Sequence, residues 1–274
     1  VGVCKKGLVM NINFHFSFPR TGSTMFLSYM RANPRIETGY AEPNHLFHLV
    51  TRCARWKKQY KEMFGADYNK CFNVGVNAFI KAHYGELMKT TKKDTLVLKH
   101  PWLAPYILEI TQGMFPESKV ILMHRHPYDT IASAMFQYRN NPKGKKVYEQ
   151  LGKVVGINDM CDLYIEWWGH LKTAQKALKK RAIVMRYEDL ITEPVPWLDK
   201  VYSHFGVPLE KPEIEKIVER GQNEGLQMLG GFMHKTKLQF PKSDKWHKWV
   251  SGAEKKKVKS KLDFLLSSNG YVTK

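Results

Sequence analysis

The sequence predicts an α/β fold: a single domain over residues 1–274, built on a central parallel sheet flanked by helices. Three observations predict it. Short β-rich runs alternate with helical stretches, the pattern of strand–helix–strand crossover units. A content of 43% hydrophobic and 12% aromatic residues supplies enough apolar surface for one large core. Residues with chemical potential collect at the carboxyl ends of the β-rich runs, the edge at which such sheets hold ligands.

In chain order, the β-rich runs are Leu8–Phe18, Thr95–His100, Lys119–His124 and Ala182–Arg186. The helical stretches are Ser23–Arg31, Ala104–Met114, Tyr128–Tyr138, Met160–Lys180 and Val195–Phe205. No internal repeat is visible, and no linker is long enough to separate two domains. Two stretches rich in Gly and Lys, Arg139–Lys153 and Gly221–Lys245, read as mobile surface segments, either lids over a site or plain solvated loops. The run Glu254–Lys261 reads as the wet face of a terminal helix.

With 44 Lys+Arg against 25 Asp+Glu, the chain carries a formal charge of +19. Such a surface suits polyanionic partners: nucleic acid, acidic lipid or a nucleotide-like small molecule. No apolar run reaches the ~18–20 residues that span a bilayer, so a membrane-embedded protein is not expected. Four cysteines (Cys4, Cys53, Cys71, Cys161) without CxxC spacing argue for reduced thiols rather than a zinc site or a disulfide framework. The start, VGVCKKGLVMNINFHF, has no small-residue cleavage site and no initiator Met. The expectation is a cytoplasmic protein, or one of the Golgi lumen if an anchor precedes this start.

The first β-rich run leads into Phe18-Pro19-Arg20-Thr21-Gly22-Ser23-Thr24 and then a helix. A strand, a tight glycine turn and a helix N-terminus make an anion cradle, because backbone N–H groups and the helix dipole point at one spot. Gly22 permits close approach, Ser23 and Thr24 can cap the helix or donate to oxygen, and Arg20 adds a forked cation. The loop is not a Walker A sequence, since no Lys follows Gly22. An ordinary turn with N-caps and a surface Arg would read the same way.

The third run ends in His124-Arg125-His126-Pro127-Tyr128-Asp129-Thr130-Ile131-Ala132-Ser133. Pro127 suits a first helical turn, and Asp129 and Ser133, four apart, share one face of the new helix. Arg125 with Ser133 could hold a second phosphate. The plainer alternative is an Arg125–Asp129 surface pair beside a buried Ser133. Two anion sites on two strands imply a ligand with two separate charged groups.

Taken in order, PRTGST, LKHPW, FPESKVILMHRHPYDTIASAM and MRYEDLITEP resemble the motif set of the sulfotransferases that use 3′-phosphoadenosine 5′-phosphosulfate (PAPS). The likeness runs from about Asn13 to about Gly206 and is greatest to the branch holding tyrosylprotein sulfotransferases and many bacterial enzymes. It implies a P-loop-like nucleotide-binding sheet, PAPS as donor, 3′-phosphoadenosine 5′-phosphate (PAP) as product, and no metal. By resemblance, Arg20, Thr21, Gly22, Ser23 and Thr24 grip the 5′-phosphosulfate, Arg125 and Ser133 the 3′-phosphate, and Tyr187 lies near the adenine. Glu42 falls where this branch has its catalytic base and Lys99 beside the bridging oxygen. Two departures stand out. His100 precedes Pro101, one residue earlier than the histidine of the cytosolic enzymes, and their late Arg-Lys-Gly element is replaced by FPKSDKWHKW, with Lys242 and Lys245 as its candidate substitutes.

Sulfuryl transfer, by analogy with phosphoryl transfer, asks for in-line geometry, stabilised equatorial oxygens and a neutralised leaving group. Arg20, Lys99 and loop N–H groups can supply that field, and Glu42 or His100 can take the acceptor's proton. Each has a purely structural alternative: a carboxylate paired with Arg35 or a Lys, a backbone-bonded histidine, a snorkelling lysine, a packed tyrosine. The acceptor is expected to be a small molecule. A few of the aromatics Tyr40, Phe47, Trp56, Phe79, Trp102, Tyr106, Phe136 and Tyr138 would line its pocket, and most would pack in the core. Two other functions compete. One is a nucleotide or small-molecule kinase, which lacks the Walker Lys; the other is a basic nucleic-acid binder, for which no helix-turn-helix or RNA-binding signature is present.

Overall fold

The protein is described by a computed structural model over residues 10–39, 44–223, 226–227, 235–236 and 245–271. In chain order, β1 (Asn11–Ser17) feeds α1 (Ser23–Ala32), the short β2 (Ile36–Glu37) precedes the 48-residue α2 (Asn44–Thr91), and β3 (Thr95–Lys99) follows. A 3₁₀ turn at Ala104–Tyr106 and a π-helical segment at Glu109–Met114 lead to β4 (Val120–His124), α3 (Pro127–Asn140) and α4 (Pro142–Gly152). Next come α5 (Ile157–Leu178), β5 (Ala182–Arg186), α6 (Tyr187–Thr192), α7 (Pro194–Phe205) and α8 (Lys211–Asn223). The two-residue strands β6 (Leu226–Gln227) and β7 (Lys235–Thr236) pair antiparallel; α9 (Lys245–Trp249) and α10 (Gly252–Ser268) close the described chain.

Strands β1 to β5 form one parallel sheet in the order β2-β3-β1-β4-β5. The chain moves to one side of β1, returns beside it as β3, and crosses to the other side as β4, so the order reverses at β1. Such a switch point opens a crevice at the carboxyl ends of the strands. Because Phe14–Ser17 of β1 run in register with Val120–Met123 of β4, the turns leaving these two strands emerge side by side.

Both faces of the sheet are covered, and β1 shows why. Its sequence NINFHFS alternates apolar and polar residues, a pattern that on an open sheet would mark one wet face. Ile12, Phe14 and Phe16 enter the core shared with α3, α5 and α10. Asn13, His15 and Ser17 point the other way and are buried nonetheless, among Val97, Ile121 and Met123 and beneath α1 and α7. Asn13 accepts the Lys119 backbone N–H through Oδ1 at 2.9 Å, while its Nδ2 is buried without a partner among the described residues, and His15 stacks on Phe26 with ring centroids 4.4 Å apart.

The four anticipated strands and five helical stretches are present, with two differences. Ala104–Met114 is a 3₁₀ turn followed by a π-helical segment rather than one regular helix, with Pro105 in its first turn. Arg139–Lys153 is a largely exposed helical segment rather than a loop: it ends α3 and forms α4. Asn141 caps α4, accepting from the N–H groups of Lys143 and Gly144 at 3.1 Å, and Pro142 follows at the first helical position. Most of Gly221–Lys245 lies outside the described residues. The terminal helix is α10, opened by a reciprocal Ser251–Glu254 capping box. Cys71 and Cys161 are free thiols. Among the described residues no helix is long and apolar enough to cross a membrane.

Candidate active site

The turn after β1 is held by its own side chains. Thr21 donates its hydroxyl to the Phe18 carbonyl at 2.8 Å, while Arg20 and Gly22 both take left-handed backbone, with φ of 75° and 88°. Gly22 is needed twice over. A Cβ there would run into the ring of Tyr187, the first residue of α6, so the turn is laid directly on an aromatic platform. Ser23 opens α1 and is buried; Ser28, one turn on, donates to the Thr24 carbonyl at 3.1 Å.

Arg125 leaves the end of β4 beside this turn and is buried. The Tyr164 hydroxyl donates to its carbonyl at 3.2 Å. Its guanidinium lies 4.9 Å from the Tyr187 ring centroid and 3.8 Å from Asp129, and it reaches the Arg20 carbonyl at 3.4 Å. Arg20 in turn donates from Nε to the Oγ of buried Ser133 at 3.2 Å. The Arg125–Asp129 pair is therefore an interior contact, not the surface pair that the sequence left open. Burial holds the Asp129 carboxyl above its ordinary range, against the pull of Arg125 and His126. At Arg20, which still reaches solvent, crowding by protein lowers the guanidinium pKa; Tyr148 opposes this and the charge of Arg125 adds to it.

Two guanidiniums thus converge at the N-terminus of α1, and Nε of Arg125 is buried with no hydrogen-bond partner among the described residues. Such an arrangement has unused donors and like-charge repulsion, both of which an anion would relieve. The residues fit a phosphorylated nucleotide on that ground.

At the end of β3, Lys99 and His100 are buried. Lys99 is in register with His15, and the His100 N–H donates to the His15 carbonyl at 3.2 Å. Nδ1 of His100 accepts the Trp102 backbone N–H at 3.3 Å. Glu42 and Lys242 lie outside the described residues; Lys245 begins α9.

The structure adds residues that the sequence reading passed over. Glu188, next to Tyr187, accepts the His126 N–H at 2.8 Å and the Tyr271 hydroxyl at 2.9 Å, tying the turn after β4 to α6 and to the segment after α10. Arg186 grips Asp189 and donates to the Gly270 carbonyl at 3.1 Å. The motif RYEDL contained Glu188 and Asp189; nothing local marked Tyr271.

Residues 14–211 match the protein family described as "Sulfotransferase family". The chain belongs to that family. It is 29% identical over 141 residues to cytosolic sulfotransferase 14 of Arabidopsis thaliana, a match spanning 47% of this chain and only 38% of that relative. Among solved structures it is similar to the sulfotransferase domain from the curacin biosynthetic pathway, with a TM-score of 0.58 and 22% identity over 93% of this chain and 98% of that one. Mouse sulfotransferase SULT7A1 complexed with PAP gives a TM-score of 0.50 and 16% identity over 94% and 84%. At these identities the structures establish a common fold. The chain has the family's fold, a central parallel sheet flanked by helices, as its motifs implied.

Proposed function

We propose that this sulfotransferase takes its sulfuryl group from PAPS and passes it to a hydroxyl or amine of a small-molecule acceptor by in-line displacement. The observation that carries this reading is the Arg20–Ser133–Arg125 cluster at the N-terminus of α1, with the buried Nε of Arg125 that has no partner among the described residues. PAP in the SULT7A1 structure supports the same choice of nucleotide.

The donor would supply a sulfur bonded to a good leaving oxygen; the chain's own residues do the rest. The loop Arg20–Thr24 offers backbone N–H groups and the positive end of α1 to the 5′ end. Arg125 and Ser133 take the 3′-phosphate, with Tyr187 beneath the turn as the adenine-side platform. Arg20 is the shared wall between the two sites. Lys99 neutralises charge that develops on the bridging oxygen.

The acceptor's proton goes to Glu42 rather than His100 in this reading. A neutral imidazole whose Nδ1 accepts a backbone N–H carries its proton on Nε2, and so presents a donor rather than a base. His100 is then suited to hydrogen-bonding a sulfuryl oxygen. The acceptor oxygen forms its bond to sulfur as the bridging S–O bond breaks, and the acceptor proton passes to the Glu42 carboxylate.

Calorimetric titration tests the reading. Wild-type protein should bind PAP far more tightly than adenosine 5′-phosphate. Arg125→Ala should erase most of that preference, by roughly 10- to 100-fold for a buried charge-assisted contact. Equal losses for the two nucleotides would remove the 3′-phosphate from Arg125, and no PAP binding at all would remove the donor.

A further inference from the structure

Beside the nucleotide cluster lies a cavity of about 690 Å³, within the range that takes a drug-sized ligand. Its inner wall is apolar and aromatic: Phe18 and Pro19 from the turn after β1, Pro101 and Trp102 next to His100, Tyr106, and Trp167 of α5. Pro19 adjoins Arg20 and Pro101 adjoins His100, so the cavity borders the proposed donor site. Its lining also carries charge. Arg52 of α2, Lys153 at the end of α4 and His170 of α5 line it, and Glu166 is its one acidic lining residue among those described.

The charges are not balanced. Glu166 contacts His170, whose Nε2 is 3.8 Å away, an ion pair only when the imidazole is protonated; with Arg52 and Lys153 the charged lining is net positive in either state. Arg52 and Lys153 are in no ion pair among the described residues, and both are exposed. Lys153 also sits in left-handed backbone at φ 51°, an uncommon state for a non-glycine residue that fixes where its side chain leaves the helix end. A cavity that combines an apolar, aromatic lining with two cations lacking an ion-pair partner among the described residues is complementary to a molecule with an aromatic body and an anionic end.

We propose that the acceptor is a small hydroxyl compound with a flat apolar body and a carboxylate of its own, the carboxylate being held by Arg52 and Lys153. This rests on the sulfotransferase reading of the neighbouring site and adds the class of acceptor. The cations select among hydroxyl compounds; they do not take part in the transfer.

The test compares 3-(4-hydroxyphenyl)propionate with its methyl ester, binding to protein first titrated with PAP, followed through indole fluorescence of the cavity tryptophans. The acid should bind about tenfold more tightly than the ester, the size expected from two partly solvated ion pairs. In the Arg52→Gln/Lys153→Gln double variant the two probes should converge to within about twofold, with PAP affinity unchanged as the check on folding. An ester that binds as well as the acid overturns the proposal. So does a preference that survives the double variant, or the absence of binding by either probe at millimolar concentration. Failure of the donor reading shows separately, as no PAP binding, and the acid–ester comparison on the protein alone still decides the cavity's preference.

Discussion

At the scale of single residues, the site is defined by which side chains have spare hydrogen-bonding capacity. Arg125 has an Nε without a partner among the described residues, and His100 has committed its Nδ1 lone pair to the backbone of Trp102. In the proposed reading, the second fact leaves the base role to Glu42. Glu42→Gln keeps shape and removes the base, so turnover should fall by about 10²–10⁴-fold while PAP affinity holds. His100→Asn retains a donor at similar reach and should cost far less. Steady-state rates with a saturating acceptor check both; a near-normal Glu42→Gln rate would return the base role to His100. The residue types at the nucleotide end were legible in the sequence because anion binding needs a glycine turn, a hydroxyl and a forked cation at fixed offsets. What the sequence could not supply was the contact between them. Arg20 reaches Ser133 across 113 positions only because β1 and β4 are neighbours.

At the scale of elements, the turn after β1 and the start of α6 form one packed unit. Gly22 lies on Tyr187, and Tyr187 lies under Arg125. Gly22→Ala must place a Cβ where the ring now is and hold a non-glycine residue at φ 88°. The expected cost is about 2 kcal/mol of stability, combining left-handed strain with displacement of a buried ring. PAP affinity should drop with it, because the displaced ring supports Arg125. Chemical denaturation and PAP titration on the same variant check the two effects, and an unchanged denaturation midpoint would mean that Tyr187 moves freely. The strands were legible as elements because buried parallel strands read as short apolar runs between breakers. The largest helix was not. α2 carries Gly75 and Gly85, each facing open space, and exposes Val74 and Phe79. Glycines that cost about 1 kcal/mol each against alanine, together with apolar residues on the outer face, erase the periodicity that marks a helix. α4 failed for a different reason: its glycines and lysines looked like loop, although Asn141-Pro142 was a sound helix start. Of the aromatics expected near an acceptor, Trp102 and Tyr106 do line the cavity, Phe136 stacks on Trp249, and Phe79 is exposed.

At the scale of the whole molecule, folding buries histidines that the charge balance alone would leave on the surface. His124, at the end of β4, is enclosed by Trp168 and Tyr271, and burial, with Lys172 and Arg186 adding to it and Asp189 opposing, pushes its pKa down to about 4. His15, in the middle of the sheet, is held well below its ordinary value by burial and then by Lys99, and its ring nitrogens have no hydrogen-bond partner among the described residues. Both are folded in the neutral form. Above about pH 6.5 the unfolded chain also keeps them neutral, so they cost nothing there. As pH falls below that value the unfolded state takes up protons that the folded state refuses, and stability is lost progressively down to the folded pKa. For His124 the full loss is about 3 kcal/mol near pH 4. Asp129, raised by burial, acts in the opposite sense: its folded form takes up a proton above the ordinary carboxylate range as pH falls, which offsets part of the loss. Unfolding midpoints should therefore fall steadily between about pH 7 and pH 5, before carboxylates of ordinary pKa begin to titrate. His124→Phe keeps the ring's contacts with Trp168 and Tyr271 and removes its titration, at the cost of the 3.3 Å contact between Nδ1 and the Tyr271 hydroxyl. That variant should start lower at neutral pH and decline less steeply. Parallel slopes for the two proteins would assign the acid sensitivity to other groups, with His15 in the centre of the sheet as the next to replace.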